Sequence, residues 1–159
     1  MNQVSGEAVH VPVLLHEVLD VLGARQGGMF LDCTFGGGGH TRALLDAHPD
    51  TSVIALDRDS RAIERGRAWA ARYGDRLELV HTPYSDVLQR VSCRAFDGIV
   101  ADLGMSTDQL REGRGFSFAD QSALDMRMDE TTGVSAREFL NSAPEHLRPL
   151  SRPSAYRAQ

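Results

Sequence analysis

The chain has 159 residues, 42% of them hydrophobic and 25% charged, with a net charge of −5. That is long enough for one domain with a real core and balanced as in an ordinary soluble protein. It excludes a wholly basic nucleic-acid glove, although a local patch can still supply phosphate contacts. No apolar run approaches the ~20 residues of a membrane span. Met1 to His10 lacks a basic region followed by an apolar stretch, so no secretory signal is expected. Cys33 and Cys93 have no metal-ligand spacing, which points to a reduced, cytoplasmic setting. All 17 basic residues are arginine, read first as a codon bias and second as a choice for phosphate geometry.

In chain order, Val13 to Leu22 carries Leu14, Leu15, Val18, Leu19 and Leu22, the spacing of a helix with one apolar face, with Pro12 at its first turn. Met29 to Cys33 is an apolar run entering Gly36-Gly37-Gly38-Gly39, which reads as a buried strand followed by a glycine loop. The pattern then predicts a helix over Thr41–Ala47, a strand over Ser52–Asp57, a helix over Ser60–Tyr73 and a strand over Leu77–Val80. A short helix over Tyr84–Val91 and a fourth strand over Gly98–Ala101, ending at Asp102, complete the alternation. Such alternation implies βαβ units, a parallel sheet and a doubly wound α/β fold. Beyond Asp102 the segment is irregular and glycine-rich, with a helix expected from Ser135 to about Asn141. Arg148 to Gln159 reads as a disordered tail.

Three acids stand where a ligand of such a sheet would lie, beyond the carboxyl ends of the strands: Asp32, Asp57 and Asp102. The glycine loop lets a ligand approach the backbone, or is a tight turn only. Asp57, about twenty residues beyond it, suits two ribose hydroxyls, or is a helix N-cap or a surface acid, since Asp59 and Ser60 also suit capping. Three acids without a basic cluster suit a cationic cofactor such as S-adenosylmethionine better than a pyrophosphate. NAD is weakened further by the lack of a clean Gly-x-Gly-x-x-Gly. Arg114-Gly-Phe-Ser-Phe118 and Leu124-Asp-Met-Arg-Met-Asp129 set arginines beside apolar side chains. These stack on bases, or Phe116, Phe118, Leu124, Met126 and Met128 anchor a loop while Arg127 pairs with Asp125 or Asp129. His10, His16 and His40 form no metal set, and no metal is expected.

Taken together, His10-Val-Pro-Val-Leu-Leu15, the Asp32–His40 loop, Ala55-Leu-Asp-Arg-Asp59, Asp102-Leu-Gly-Met-Ser106 and the last two motifs resemble the MraW/RsmH family of 16S ribosomal-RNA cytidine N4-methyltransferases. The resemblance covers residues 8 to 146. It implies a Rossmann-like methyltransferase fold using S-adenosyl-L-methionine, acting on 16S rRNA in the small ribosomal subunit. It implies that Gly38, Gly39 and His40 contact the methionine part, that Asp57 holds the ribose, and that Tyr84 packs on the adenine. Asp102 and Gln109 would complete the site, and Asp102 is the candidate catalytic residue. Thr107-Asp108 stands in place of the family's Ser-Pro, and Ser122-Ala123 in place of Gly-Pro. The family's members are about twice this length, so residues 1–108 are expected to be the N-terminal half of the methyltransferase domain. Residues 109–147 would begin a helical substrate-recognition insertion, with 148–159 unmatched. On that reading the sheet is incomplete and its fourth strand is an apolar edge, which makes a homodimer one expected partner state. A cofactor-binding fragment without catalysis is the rival expectation.

Overall fold

In the computed structural model the described residues are 12–91, 95–106, 109–110, 112–117, 124–142 and 144. His10, Thr107-Asp108, Phe118, Ser122-Ala123 and the tail from Arg148 lie outside them. The chain divides into two compact units, Met1–Gly104 and Met105–Gln159.

The first unit is built on four parallel strands, β1 (Gly28–Asp32), β2 (Thr51–Asp57), β3 (Leu77–His81) and β4 (Gly98–Val100), in the order β3-β2-β1-β4. The chain steps outward from β1 to β3, then returns to pair β4 on the other side of β1. That reversal leaves a crevice at the carboxyl ends of β1 and β4, the usual ligand position in an open parallel sheet.

The pattern of burial explains the strands. Val53, Ile54, Ala55 and Leu56 are all at most 4% exposed, so β2 is apolar on both faces, as a central parallel strand must be. Successive side chains serve opposite faces. Phe30, Val53 and Ala55 pack with Leu44 and Leu45 of α2 (Gly39–Ala47) and Ala62 and Ile63 of α3 (Ser60–Ala70). Leu31, Ile54 and Leu56 pack with Val91 and with Val87 of α4 (Val87–Arg90) on the other face. β4 is an edge strand, and Ile99 is 58% exposed.

Three helices depart most clearly from the sequence pattern. α1 spans Leu15–Val21, not Val13–Leu22. Leu14 takes a left-handed φ of 54°, the His40 ring meets the Val13 carbonyl at 3.3 Å, and Pro12 lies against Gly39. These tertiary contacts hold residues 12–14 out of the helix. The helix expected to reach Tyr73 ends as α-helix at Ala70 and continues as a 3₁₀ segment, Ala71–Arg76, with Gly74 at φ 56°. Arg76 explains the stop. Its guanidinium Nη1 donates to the carbonyls of Leu45, His48 and Thr51, tying the end of α2 to the start of β2. The Tyr84–Val91 helix is likewise split into a 3₁₀ turn, Tyr84–Asp86, and α4.

In the second unit, α5 (Ala136–Ser142) begins at a capping box. The Ser135 amide and hydroxyl donate to Glu138 Oε2, and the Glu138 amide donates to Ser135 Oγ. The Ser135 bonds hold the Glu138 carboxyl below its usual range. Arg127 forks onto Asp125 through Nε at 2.8 Å and Nη2 at 2.7 Å, which holds the Asp125 carboxyl down to about 2. Arg114, only 2% exposed, donates to the Met128 carbonyl and to Glu112, and lies 5.6 Å from the Phe116 ring. Both arginines are therefore used within the unit, which favours the packing reading of these motifs over base stacking.

Candidate cofactor site

The site grows from the end of β1. Asp32 is 1% exposed, and its two oxygens are engaged separately: Oδ2 accepts from the Thr41 hydroxyl at 2.7 Å and Oδ1 from the Thr34 amide at 3.0 Å. Burial pushes this carboxyl above its ordinary 3.8, against the pull of those bonds. Asp32 is thus a bracket between β1 and α2 rather than a carboxylate on the cleft surface.

That raised value fixes a sign. In the unfolded chain Asp32 ionises near 3.8, and in the folded chain at higher pH. Between the two, only the native state holds the proton, so this group's stabilisation is full below the unfolded value and lost as pH rises through the folded one. Asp32→Asn keeps an acceptor for Thr34 and a donor for Thr41 but carries no charge. Urea unfolding across pH 4 to 7 is expected to show the variant gaining on the wild type as pH rises. The opposite slope would contradict this account.

The loop after β1 is anchored at Phe35, which is 2% exposed; its amide donates to the Leu56 carbonyl, and its ring stacks on Trp69 at 5.7 Å. The glycines then serve different ends. The Gly36 amide donates to Asp57 Oδ2 at 2.7 Å. Gly38 has φ 76°, and a Cβ there would sit 2.5 Å from Trp69 Cζ2. A Cβ on Gly39 would collide with the Pro12 ring. Only Gly37 faces open space, with nothing within 4 Å of a Cβ. It is the exposed apex of the loop.

Asp57 closes the next strand at 8% exposure. Besides Gly36, it accepts from the Asp59 amide at 2.8 Å, and burial again pushes its carboxyl up. The capping role that the sequence left open belongs to Asp59, whose side chain accepts from the Arg61 amide. Thr82, after β3, donates its amide to the Asp57 carbonyl, and two residues later Tyr84 is 53% exposed. Beyond β4, the Asp102 amide donates to Thr34 Oγ1 at 2.7 Å, and Asp102 is exposed.

The structure therefore gathers the glycine loop, Asp57 and Asp102 at the carboxyl end of the sheet. His40 is buried and turned to Val13, and Gly38 and Gly39 offer a ligand only main chain. Gln109 belongs to the second unit. It is 5% exposed, its Oε1 accepts from the Ser106 amide and its own amide donates to Ser106 Oγ. The Thr34 hydroxyl's bond to the Asp102 amide and the bracket role of Asp32 were missed in the sequence, and Gly37 was read only as one of the glycine run. Their only sequence signal is their place within and beside the glycine run.

An open parallel sheet with an exposed glycine apex at the switch point and acids at the strand ends defines a Rossmann-like α/β domain. The sequence pattern of the MraW methylase family matches residues 7–148, and the chain belongs to that family. Ribosomal RNA small subunit methyltransferase H of Granulibacter bethesdensis is 49% identical over 145 residues, covering 89% of this chain and 43% of the relative. The enzyme of that name from Beijerinckia indica is 50% identical over 144 residues (88% and 40%), and that from Streptomyces avermitilis 46% over 142 residues (85% and 45%). The chain spans less than half the length of these relatives.

Proposed function

We infer that this chain is the cofactor-binding half of an S-adenosylmethionine-dependent methyltransferase acting on the N4 of a cytidine in the decoding region of 16S rRNA, in the small ribosomal subunit. The observation that carries the reading is the open Gly37 apex between Asp57 and Asp102 at the β1–β4 crevice, in a chain of the MraW methylase family.

The residues suit the cofactor. Each Asp57 oxygen accepts one amide and keeps an acceptor position for a ribose hydroxyl. The half-exposed Tyr84 ring offers a face for adenine. The main chain of Gly37, Gly38 and Gly39, with His40 beside it, is the cradle for the amino-acid part. Asp57 and Asp102 provide a field that favours a cation. Gln109 enters this reading on family resemblance alone. Bound S-adenosylmethionine supplies a methyl group made electrophilic by the sulfonium. The exocyclic amine of cytosine is a weak nucleophile because its lone pair is delocalised into the ring, so holding amine and methyl in line is the main source of rate. The target base must leave its stack to reach the crevice. Asp102 accepts a hydrogen bond from the amine and orients it.

Methylation of small subunits with labelled cofactor tests this reading. Asp102→Asn is expected to lose about 100-fold in rate. Full methylation by that variant, at unchanged cofactor affinity, would remove Asp102 from the chemistry. The rival reading is cofactor binding without catalysis. Saturable cofactor binding with no transfer by the wild type would select it.

A further inference from the structure

The β1–β4 ladder ends in an unusual way. Its pairs are Phe30↔Gly98, Leu31↔Ile99 and Asp32↔Val100, and the Cys33 amide then donates to the Val100 carbonyl at 2.9 Å. In an evenly spaced parallel ladder, the next rungs would join the Asp102 amide to the Cys33 carbonyl and the Phe35 amide to the Asp102 carbonyl. Neither forms. The Phe35 amide turns to the Leu56 carbonyl on the β2 side, and the Asp102 amide donates to Thr34 Oγ1 at 2.7 Å. Thr34 is itself held, because its amide donates to the buried Asp32, which also accepts from Thr41. A side-chain hydroxyl thus replaces a main-chain acceptor at the point where the two strands part.

We propose that Thr34 is a positioning residue: its hydroxyl is the last rung across the mouth of the crevice and fixes the main chain at Asp102 in place for the cofactor. A hydroxyl reaches further than a carbonyl in the ladder. It lets β4 leave the sheet and open the crevice while its exit stays tied to the rigid β1–α2 bracket. A carbonyl rung would hold the crevice shut at this level, and no rung would leave Asp102 on an untethered exposed turn. This inference rests on the cofactor reading above for its purpose, but not for its geometry.

The test uses the full chain, with Thr34→Val removing the hydroxyl at nearly constant shape and Thr34→Ser restoring it. Amide hydrogen exchange without ligand reads the rung directly. Exchange at Asp102 is expected to be about ten-fold faster in Thr34→Val and unchanged in Thr34→Ser, with central amides such as Ile54 protected in both, showing that they fold. The dissociation constant for S-adenosylmethionine is expected to rise about ten-fold in Thr34→Val and to return in Thr34→Ser. Unchanged Asp102 exchange in Thr34→Val overturns the proposal. So does faster exchange with unaltered affinity in a chain whose wild type binds the cofactor. A wild type that binds no cofactor, yet shows the exchange pattern, overturns the function reading and leaves the rung standing.

Discussion

Alanine at Gly38 is expected to cost the first unit roughly 2–5 kcal/mol and to abolish cofactor binding, whereas alanine at the adjacent Gly37 is expected to leave stability within about 0.5 kcal/mol and to weaken binding alone. The difference follows from what each Cβ would meet. At Gly38 the backbone is left-handed at φ 76°, which disfavours any L side chain, and the new methyl would lie 2.5 Å from Trp69 Cζ2 and 2.9 Å from Phe35. Trp69 cannot retreat freely, because Phe35 stacks on it, Tyr73 meets it edge-on at 5.7 Å, and the Arg42 guanidinium lies 4.1 Å from its ring centroid. A Cβ at Gly37 would meet no atom within 4 Å beyond its chain neighbours. Trp69 is the single tryptophan of the chain, so its fluorescence during urea unfolding reads the Gly38 variant directly. Equal destabilisation by the two substitutions would refute the distinct roles given to them.

Asp57→Ala is the second large loss, about 2–4 kcal/mol by urea unfolding, together with the ribose contact proposed for it. The carboxylate joins the Gly36 amide of the loop to the Asp59 amide at the head of α3, and alanine strands both donors. The loop and helix should loosen together, so hydrogen exchange is expected to quicken at Gly36 and Asp59 while Ile54 stays protected. Asp57→Asn keeps one acceptor and is expected to fall between wild type and alanine. An alanine variant as stable as the wild type would mean that these bonds do not hold the loop.

Much of the fold is legible in the sequence because the sheet interior obeys short-range rules. Val53 to Leu56 is a short unbroken apolar run closed by Asp57 and rich in β-branched residues, the pattern of a strand buried on both faces. The glycine run after Asp32 marks a strand-to-helix turn for the same reason. Helix limits were less legible, because long-range contacts set them. Pro12 suits a first turn by local preference, yet it packs against Gly39, 27 residues on, and the helix starts later. The end of α3 depends on Arg76 reaching carbonyls 25 to 31 residues away. The placement of Asp57, Tyr84 and Asp102 at or just after strand ends was legible, because each follows an apolar run. The role of Asp32 was not legible, because its partners turn an apparent cleft acid inward. Nor did spacing alone tell an open glycine from a packed one, since four in a row look alike until their neighbours are known.

The measurement closest to the central claim is calorimetric titration of the full chain with S-adenosylmethionine, beside a titration with NAD. Saturable binding of S-adenosylmethionine alone, weakened in Gly37→Ala and lost in Asp57→Ala, is the result this account predicts. A folded chain that binds neither ligand, or that prefers NAD, would contradict it.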